Sequence, residues 1–164
     1  MALIIETGAI VADANSFVTL EEIREYAEAR GRTLPVDDED LEPFAHRAMD
    51  YIKSRRGDFD GTRVSDTQPL PFPRTGMYID NVLIADDFMP LELIELQCAL
   101  TVELANGLDL FPVQTGQAVK RKKTGPLEKE FFGPSLIVSV PILDALIEPL
   151  LGSGGRFALR VRRV

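Results

Sequence analysis

The chain has 164 residues, 45% of them hydrophobic and 27% charged, which suits one domain with a modest core. Its formal charge of −8 is uneven: Arg156, Arg160, Arg162 and Arg163 follow Gly155 without an acid, so residues 1–155 hold 14 basic against 26 acidic side chains, a formal −12. Such a body lacks the basic face that general phosphate neutralisation needs, and no apolar run reaches the roughly 18 residues of a membrane span.

Residues 1–10 contain Glu6 and no basic group, which argues against a secretory signal. A single cysteine, Cys98, makes no internal disulfide; in an apolar helical run it reads as a buried, inert thiol, and a cytosolic, reduced origin is expected. Thr19 and Glu22 have capping-box spacing, Val18 is placed to staple onto Ile23, and a first helix is predicted to Arg30, stopping at Gly31. The run Asp37-Asp38-Glu39-Asp40 lacks the spacing of a calcium loop, and acids ahead of a helix already complement its dipole. A second helix is predicted from about Asp40 to Arg56, with Leu41, Phe44, Ala45, Ala48, Met49 and Ile52 as its apolar stripe and Gly57 as its stop. His46 and Asp50, one turn apart, read as a surface pair rather than a catalytic base and its orienter, since no nucleophile accompanies them.

Residues 61–76, GTRVSDTQPLPFPRTG, do not have the composition of a flexible linker. Pro69, Pro71 and Pro73 alternate with Leu70 and Phe72, which predicts a stiff, polyproline-like rod ending in the cation Arg74. Leu70 and Phe72 need a partner surface, either in their own domain or on another subunit. Residues 77–88 read as irregular or weakly extended around a turn at Asp80-Asn81. Pro90 opens a third helix over 91–104, apolar on more than one face and closed by Asn106-Gly107, so it is central to the domain or shared with a second subunit. Residues 117–133 suggest a β-hairpin, in which Lys120–Lys123 would pair across to Glu128 and Glu130 rather than hold phosphate. A short apolar helix over 142–151 is interrupted by Pro149, and Gly152-Ser153-Gly154-Gly155 forms a hinge. Beyond it Phe157, Leu159 and Val161 alternate as in a strand.

The expected fold is therefore mainly α: a small bundle of three to four helices with a small β-hairpin and an extended C-terminal arm. Residues 1–151 would form the domain, with a proline-rich loop inserted at 57–88 and the hairpin at 117–133, and residues 152–164 the hinged basic arm. No Ser-His-Asp or Cys-His order, metal-ligand cluster or nucleotide fingerprint is present, so no catalytic residue, metal or cofactor is expected. A small hydrolase built on His46 is a remote third reading.

Three stretches also resemble a known family. Ala12-Asp13-Ala14-Asn15-Ser16-Phe17-Val18-Thr19-Leu20-Glu21-Glu22 is similar to the ADANSYVTLEE opening of small phage and prophage proteins grouped as DnaT-like single-stranded-DNA-binding proteins. Ala48-Met49-Asp50-Tyr51-Ile52 follows, and the strongest likeness lies in Ser65–Gly76, which resembles the family's S-x-x-Q-x-L-x-W/F-P-R-x-G. The resemblance covers about residues 10–110 well and the rest loosely. It implies a head–tail adaptor, or head completion protein, of a long-tailed phage, located in the virion at the head–tail junction and made in the bacterial host cytoplasm. Such adaptors form a ring of twelve below the portal. The implied partners are the portal protein, neighbouring adaptor subunits and a tail-side stopper or tail terminator, with DNA passing through unbound and no membrane contact. The alternative implied by the family label is single-strand binding, which calls for stacking aromatics in a basic groove; this chain has no Trp, and Phe72 stands where many relatives carry Trp. On the adaptor reading Arg156, Phe157, Leu159, Arg160, Val161, Arg162 and Arg163 would bind the portal or a neighbour by strand addition and ion pairing. Gln68, Pro69, Leu70, Phe72, Pro73 and Arg74 would form the loop and subunit interface.

Overall fold

The structure, a computed structural model, describes residues 2–108 and 141–152. Four helices and two small antiparallel strand pairs make the fold mainly α. Helix α1 (Leu20–Ala29) begins where the capping box places it: Glu22 N–H donates to Thr19 Oγ1 at 3.2 Å and Thr19 N–H to Glu22 Oε2 at 2.7 Å. Val18 and Ile23 are buried in one cluster, as a staple requires. Helix α2 (Asp38–Ser54) starts two residues before its predicted position, taking Asp38, Glu39 and Asp40 into its first turn, where they face the positive end of the dipole. Leu41, Ala45, Ala48, Met49 and Ile52 form its buried stripe.

Helix α3 (Leu91–Ala105) is the axis of the molecule. It packs against α1, α2 and α4 (Pro141–Ile147), and nine of its residues are buried, among them Leu93, Leu96, Leu100 and Leu104. Its apolarity on several faces is thus used within the subunit. Asn106 caps its end and Gly107 follows at φ +97°. After α4 a 3-10 turn, Glu148–Leu150, contains Pro149.

The segment between α2 and α3 corrects the sequence reading. Residues 61–76 are not a rod but a loop closed on itself, because β1 (Thr62–Arg63) pairs antiparallel with β2 (Arg74–Thr75), Thr62 opposite Thr75. Bends fall at residues 69–71 and 73, and the Phe72–Pro73 peptide is cis. Three prolines fix three φ angles but leave ψ to the surroundings, and burial of Leu70 and Phe72 sets the path. Gly61 has φ +66°, and a Cβ there would lie 2.5 Å from Thr75 O, so the closure needs glycine.

Residues 77–88 are more regular than expected. β3 (Tyr78–Ile79) and β4 (Val82–Leu83) form a two-residue hairpin in which Tyr78 opposes Leu83. Asp80 and Asn81 both have positive φ, 50° and 65°, the geometry that matches the twist of a tight hairpin. The hairpin expected over 117–133 and arm residues 153–164 lie outside the described residues; Gly152 is the last one described.

Candidate functional site

Arg74 is the hub of the closed loop. The residue is 7% exposed, and its guanidinium donates to four main-chain oxygens: Nε to Asp60 O, Nη1 to Pro71 O at 3.2 Å, and Nη2 to Phe59 O at 3.2 Å and Gly61 O at 2.7 Å. Burial pulls its pKa below the ordinary arginine value, while the charge of Asp60 opposes that shift. Asp60 turns outward to accept Tyr78 N–H at Oδ2, 2.9 Å away, and so ties the loop to β3. Gln68 locks the loop from inside: its Nε2 donates to Leu70 O at 2.9 Å and Pro73 O at 3.0 Å, and its Oε1 accepts Ser65 N–H at 2.9 Å. Phe72, fully buried, meets Phe59 and Phe17 edge-on at centroid distances of 5.1 and 6.2 Å. Of the residues expected at a subunit interface, Gln68, Leu70, Phe72, Pro73 and Arg74 are therefore spent inside their own subunit, and Pro69 alone is exposed. The partner surface that Leu70 and Phe72 require is the domain's own core.

The opening motif is equally structural. Glu6, 2% exposed, accepts three main-chain N–H groups, Gly8 and Ile10 at Oε1 and Val11 at Oε2, all within 3.0 Å. Gly8 has φ +97°, and a Cβ there would lie 2.0 Å from Asp87 O, which fixes the N-terminal loop against the turn before α3. Gln97, buried on α3, accepts Phe17 N–H at 2.8 Å and donates to Ser16 Oγ at 2.7 Å. Sequence reasoning missed both groups. A glutamine inside an otherwise apolar helix is the signal for Gln97; Glu6 carries no comparable one.

Residues with chemical potential are otherwise quiet. His46 Nε2 lies 3.6 Å from Glu42 Oε1, one turn earlier on the surface of α2, beyond ordinary hydrogen-bond range. Cys98 is buried and its thiol pKa is pushed up to about 12, chiefly by burial, which leaves no thiolate at neutral pH. Two open depressions of about 320 Å³ occur, one lined by Leu3, Ile5, Thr19, Leu20 and Glu42, the other by Arg24, Ala27, Glu28, Arg32 and Leu34. In the first, Thr19 Oγ1 donates to Glu22 Oε2 at 3.0 Å within the capping box, and the second has no Ser, Thr or Cys in its lining. Among the described residues no three His, Cys, Asp or Glu side chains stand close enough to hold a metal, and no helix is long and apolar enough to cross a membrane.

What the described residues do expose is a run of apolar side chains interleaved with acids. Tyr78, Val82, Leu83, Phe88 and Leu91 are 51 to 62% exposed within 14 consecutive residues. Asp80, Asp86 and Asp87 are interleaved with them and also exposed. Its signal in the sequence was the Asp-Asn turn between Tyr78-Ile79 and Val82-Leu83, a pairing of turn and strand formers. The expected partner-binding residues 156–163 lie outside the described residues.

No curated protein and no solved structure matches the chain. A family does: over residues 1–164, the Arg74 loop and the Ser16–Gln97 lock included, the sequence matches the family described as "Putative DnaT-like ssDNA binding protein". With that match running the full length of the chain, the protein belongs to the DnaT-like family.

Proposed function

We propose that the protein is a non-enzymatic structural connector, an adaptor at the head–tail junction of a tailed phage. On this reading copies assemble into a ring that joins the portal to a tail-side stopper or terminator, and DNA passes through without being gripped. The observation that carries the reading is the split between aromatic and charged side chains. Among the described residues Phe17, Phe59 and Phe72 are buried, and the aromatics left exposed, Tyr78 and Phe88, are interleaved in sequence with Asp80, Asp86 and Asp87. Base stacking needs aromatic faces beside cations, whereas the described residues carry 9 basic against 23 acidic side chains. Exposed apolar side chains interleaved with acids suit a protein partner. A negative wall also suits a conduit, because few phosphate contacts would form to hold the DNA back.

The family's description favours the second reading, binding of single-stranded DNA. One feature of this chain supports it: segments 109–140 and 153–164 hold nine of its 18 basic residues and only three acids. The two readings separate in one pair of measurements. Anisotropy of labelled single- and double-stranded oligonucleotides should show weak binding without preference at about 150 mM salt, where non-specific contacts are already weak. Light scattering across a concentration series should show self-assembly. Sub-micromolar single-strand binding by a protein that stays monomeric would reverse the order of the readings.

A further inference from the structure

We propose that the apolar surface of the β3–β4 hairpin is the seat for the C-terminal segment, residues 153–164, of a neighbouring copy. The inference rests on the ring reading above and names the contact that would build it. In β3–β4, Ile84 N–H donates to Met77 O at 2.9 Å, so the Tyr78–Leu83 pair is the wide one, with main-chain groups pointing outward. On β3 the outward N–H of Tyr78 is taken by Asp60. On β4 the main chain at Leu83, a residue 58% exposed, has no hydrogen-bond partner among the described residues, which suits an added strand.

The sequence beyond Gly152 has the complementary pattern. Phe157, Leu159 and Val161 would lie on one face of an extended strand, and Arg160 and Arg162 on the other, with Arg156 and Arg163 at its ends. Four cations thus meet the acids Asp80, Asp86 and Asp87, and three apolar side chains meet Tyr78, Leu83 and Phe88. At its last described residues the chain runs antiparallel past residues 60 to 58. Asp60 N–H donates to Leu150 O, and Gly152 N–H donates to Asp58 O, both at 2.9 Å, around the antiparallel Phe59–Leu151 bridge. The departing chain therefore passes Asp60 first and Asp58 next. Ser153-Gly154-Gly155 follow in the sequence, and the ring reading is what places the seat on a neighbour rather than on the same subunit. A tail seated on the next copy's hairpin would make a head-to-tail contact, and such contacts close into a ring where the rotation between copies closes.

The test uses full-length single-cysteine additions, Leu83→Cys in one preparation and Leu159→Cys in another, mixed, equilibrated and treated with a short bismaleimide. Cys98, with its pKa near 12, does not compete. A covalent dimer containing one of each variant is expected, since that product can arise only between copies. Asp86→Arg with Asp87→Arg should lower its yield about tenfold, equivalent to about 1.4 kcal/mol, and Arg160→Asp with Arg162→Asp should restore it. Crosslinking confined within one chain when both cysteines are placed together overturns the proposal, as does a yield indifferent to both charge reversals. An assembled wild type with no crosslink overturns the proposal and leaves the ring standing; a wild type that stays monomeric and does not crosslink removes both.

Discussion

Removing the Arg74 guanidinium tests whether the loop of residues 61–76 is held by that group. In Arg74→Ala four main-chain oxygens lose their donor together. Those of Asp60 and Gly61 are bonded at part-buried positions and can regain water, whereas those of Phe59 and Pro71 are bonded where the donor pair is buried. Each buried orphan costs about 1–3 kcal/mol. The long aliphatic stem, in a side chain 7% exposed, also leaves a void. Against these losses stands relief from keeping a cation out of water with no carboxylate among the described residues in direct contact, a cost that also draws the Arg74 pKa down. The balance is a loss of about 3–4 kcal/mol. For a domain of this size that is a fall in Tm of about 10 °C. Arg74→Lys should recover less than half of it, because one ammonium cannot reach acceptors spread around a planar fork. Since the acceptors are carbonyl dipoles, the difference from wild type should stay nearly constant between low and high salt, unlike that of a surface ion pair. Thermal and urea unfolding followed by circular dichroism give both quantities. A shift below about 2 °C, or one that salt abolishes, would refute the account of the clasp.

Two further expectations rest on buried groups. Gln97→Leu removes the acceptor of Phe17 N–H and the donor to Ser16 Oγ in a site closed to water, so urea unfolding should show a loss of about 2–4 kcal/mol; a neutral result would mean that the N-terminal segment is held by packing alone. Cys98 gives a signed pH dependence: its folded pKa, about 12, exceeds the ordinary 9.0, so the native state keeps a proton that the unfolded chain releases. Stability from this group is complete below pH 9 and declines as pH rises toward 12. Chemical denaturation across that range should show a steeper alkaline fall for wild type than for Cys98→Ala, and equal slopes would remove the argument.

The helices were legible because their signals are local. The Thr19–Glu22 box, the stripe from Leu41 to Ile52 and the Pro90 to Gly107 frame each sit within a few turns of chain, and each marks an element the structure contains. Residues 61–76 were legible as ordered but not in shape. Their path depends on Phe59, 15 residues before Arg74, and on the fit of Phe72 between Phe59 and Phe17, none of which periodicity records. The β3–β4 hairpin was read only as its turn, because two-residue strands give too short an alternation to stand out. Gln97 and Ser16 meet across 81 positions, a contact that only the packed helix creates.

Among the residues by which this chain resembles its family, those matched in the closed loop sit mostly in its interior. Asn15, Ser16 and Phe17 are bonded into the N-terminal loop and α3, and Gln68, Leu70, Phe72 and Arg74 into the closed loop. Side chains so placed determine which fold the chain adopts, and they present nothing to a ligand. The family's description names single-stranded DNA, while the interior placement of these side chains accounts for the fold and not for a ligand. Whatever distinguishes this protein's interactions must reside on its outside. There, among the described residues, the features that depart from an ordinary solvated surface are the exposed apolar side chains interleaved with acids and the strong negative charge. Both favour a protein partner over a phosphate backbone, and the first offers a surface of the kind that assembly requires.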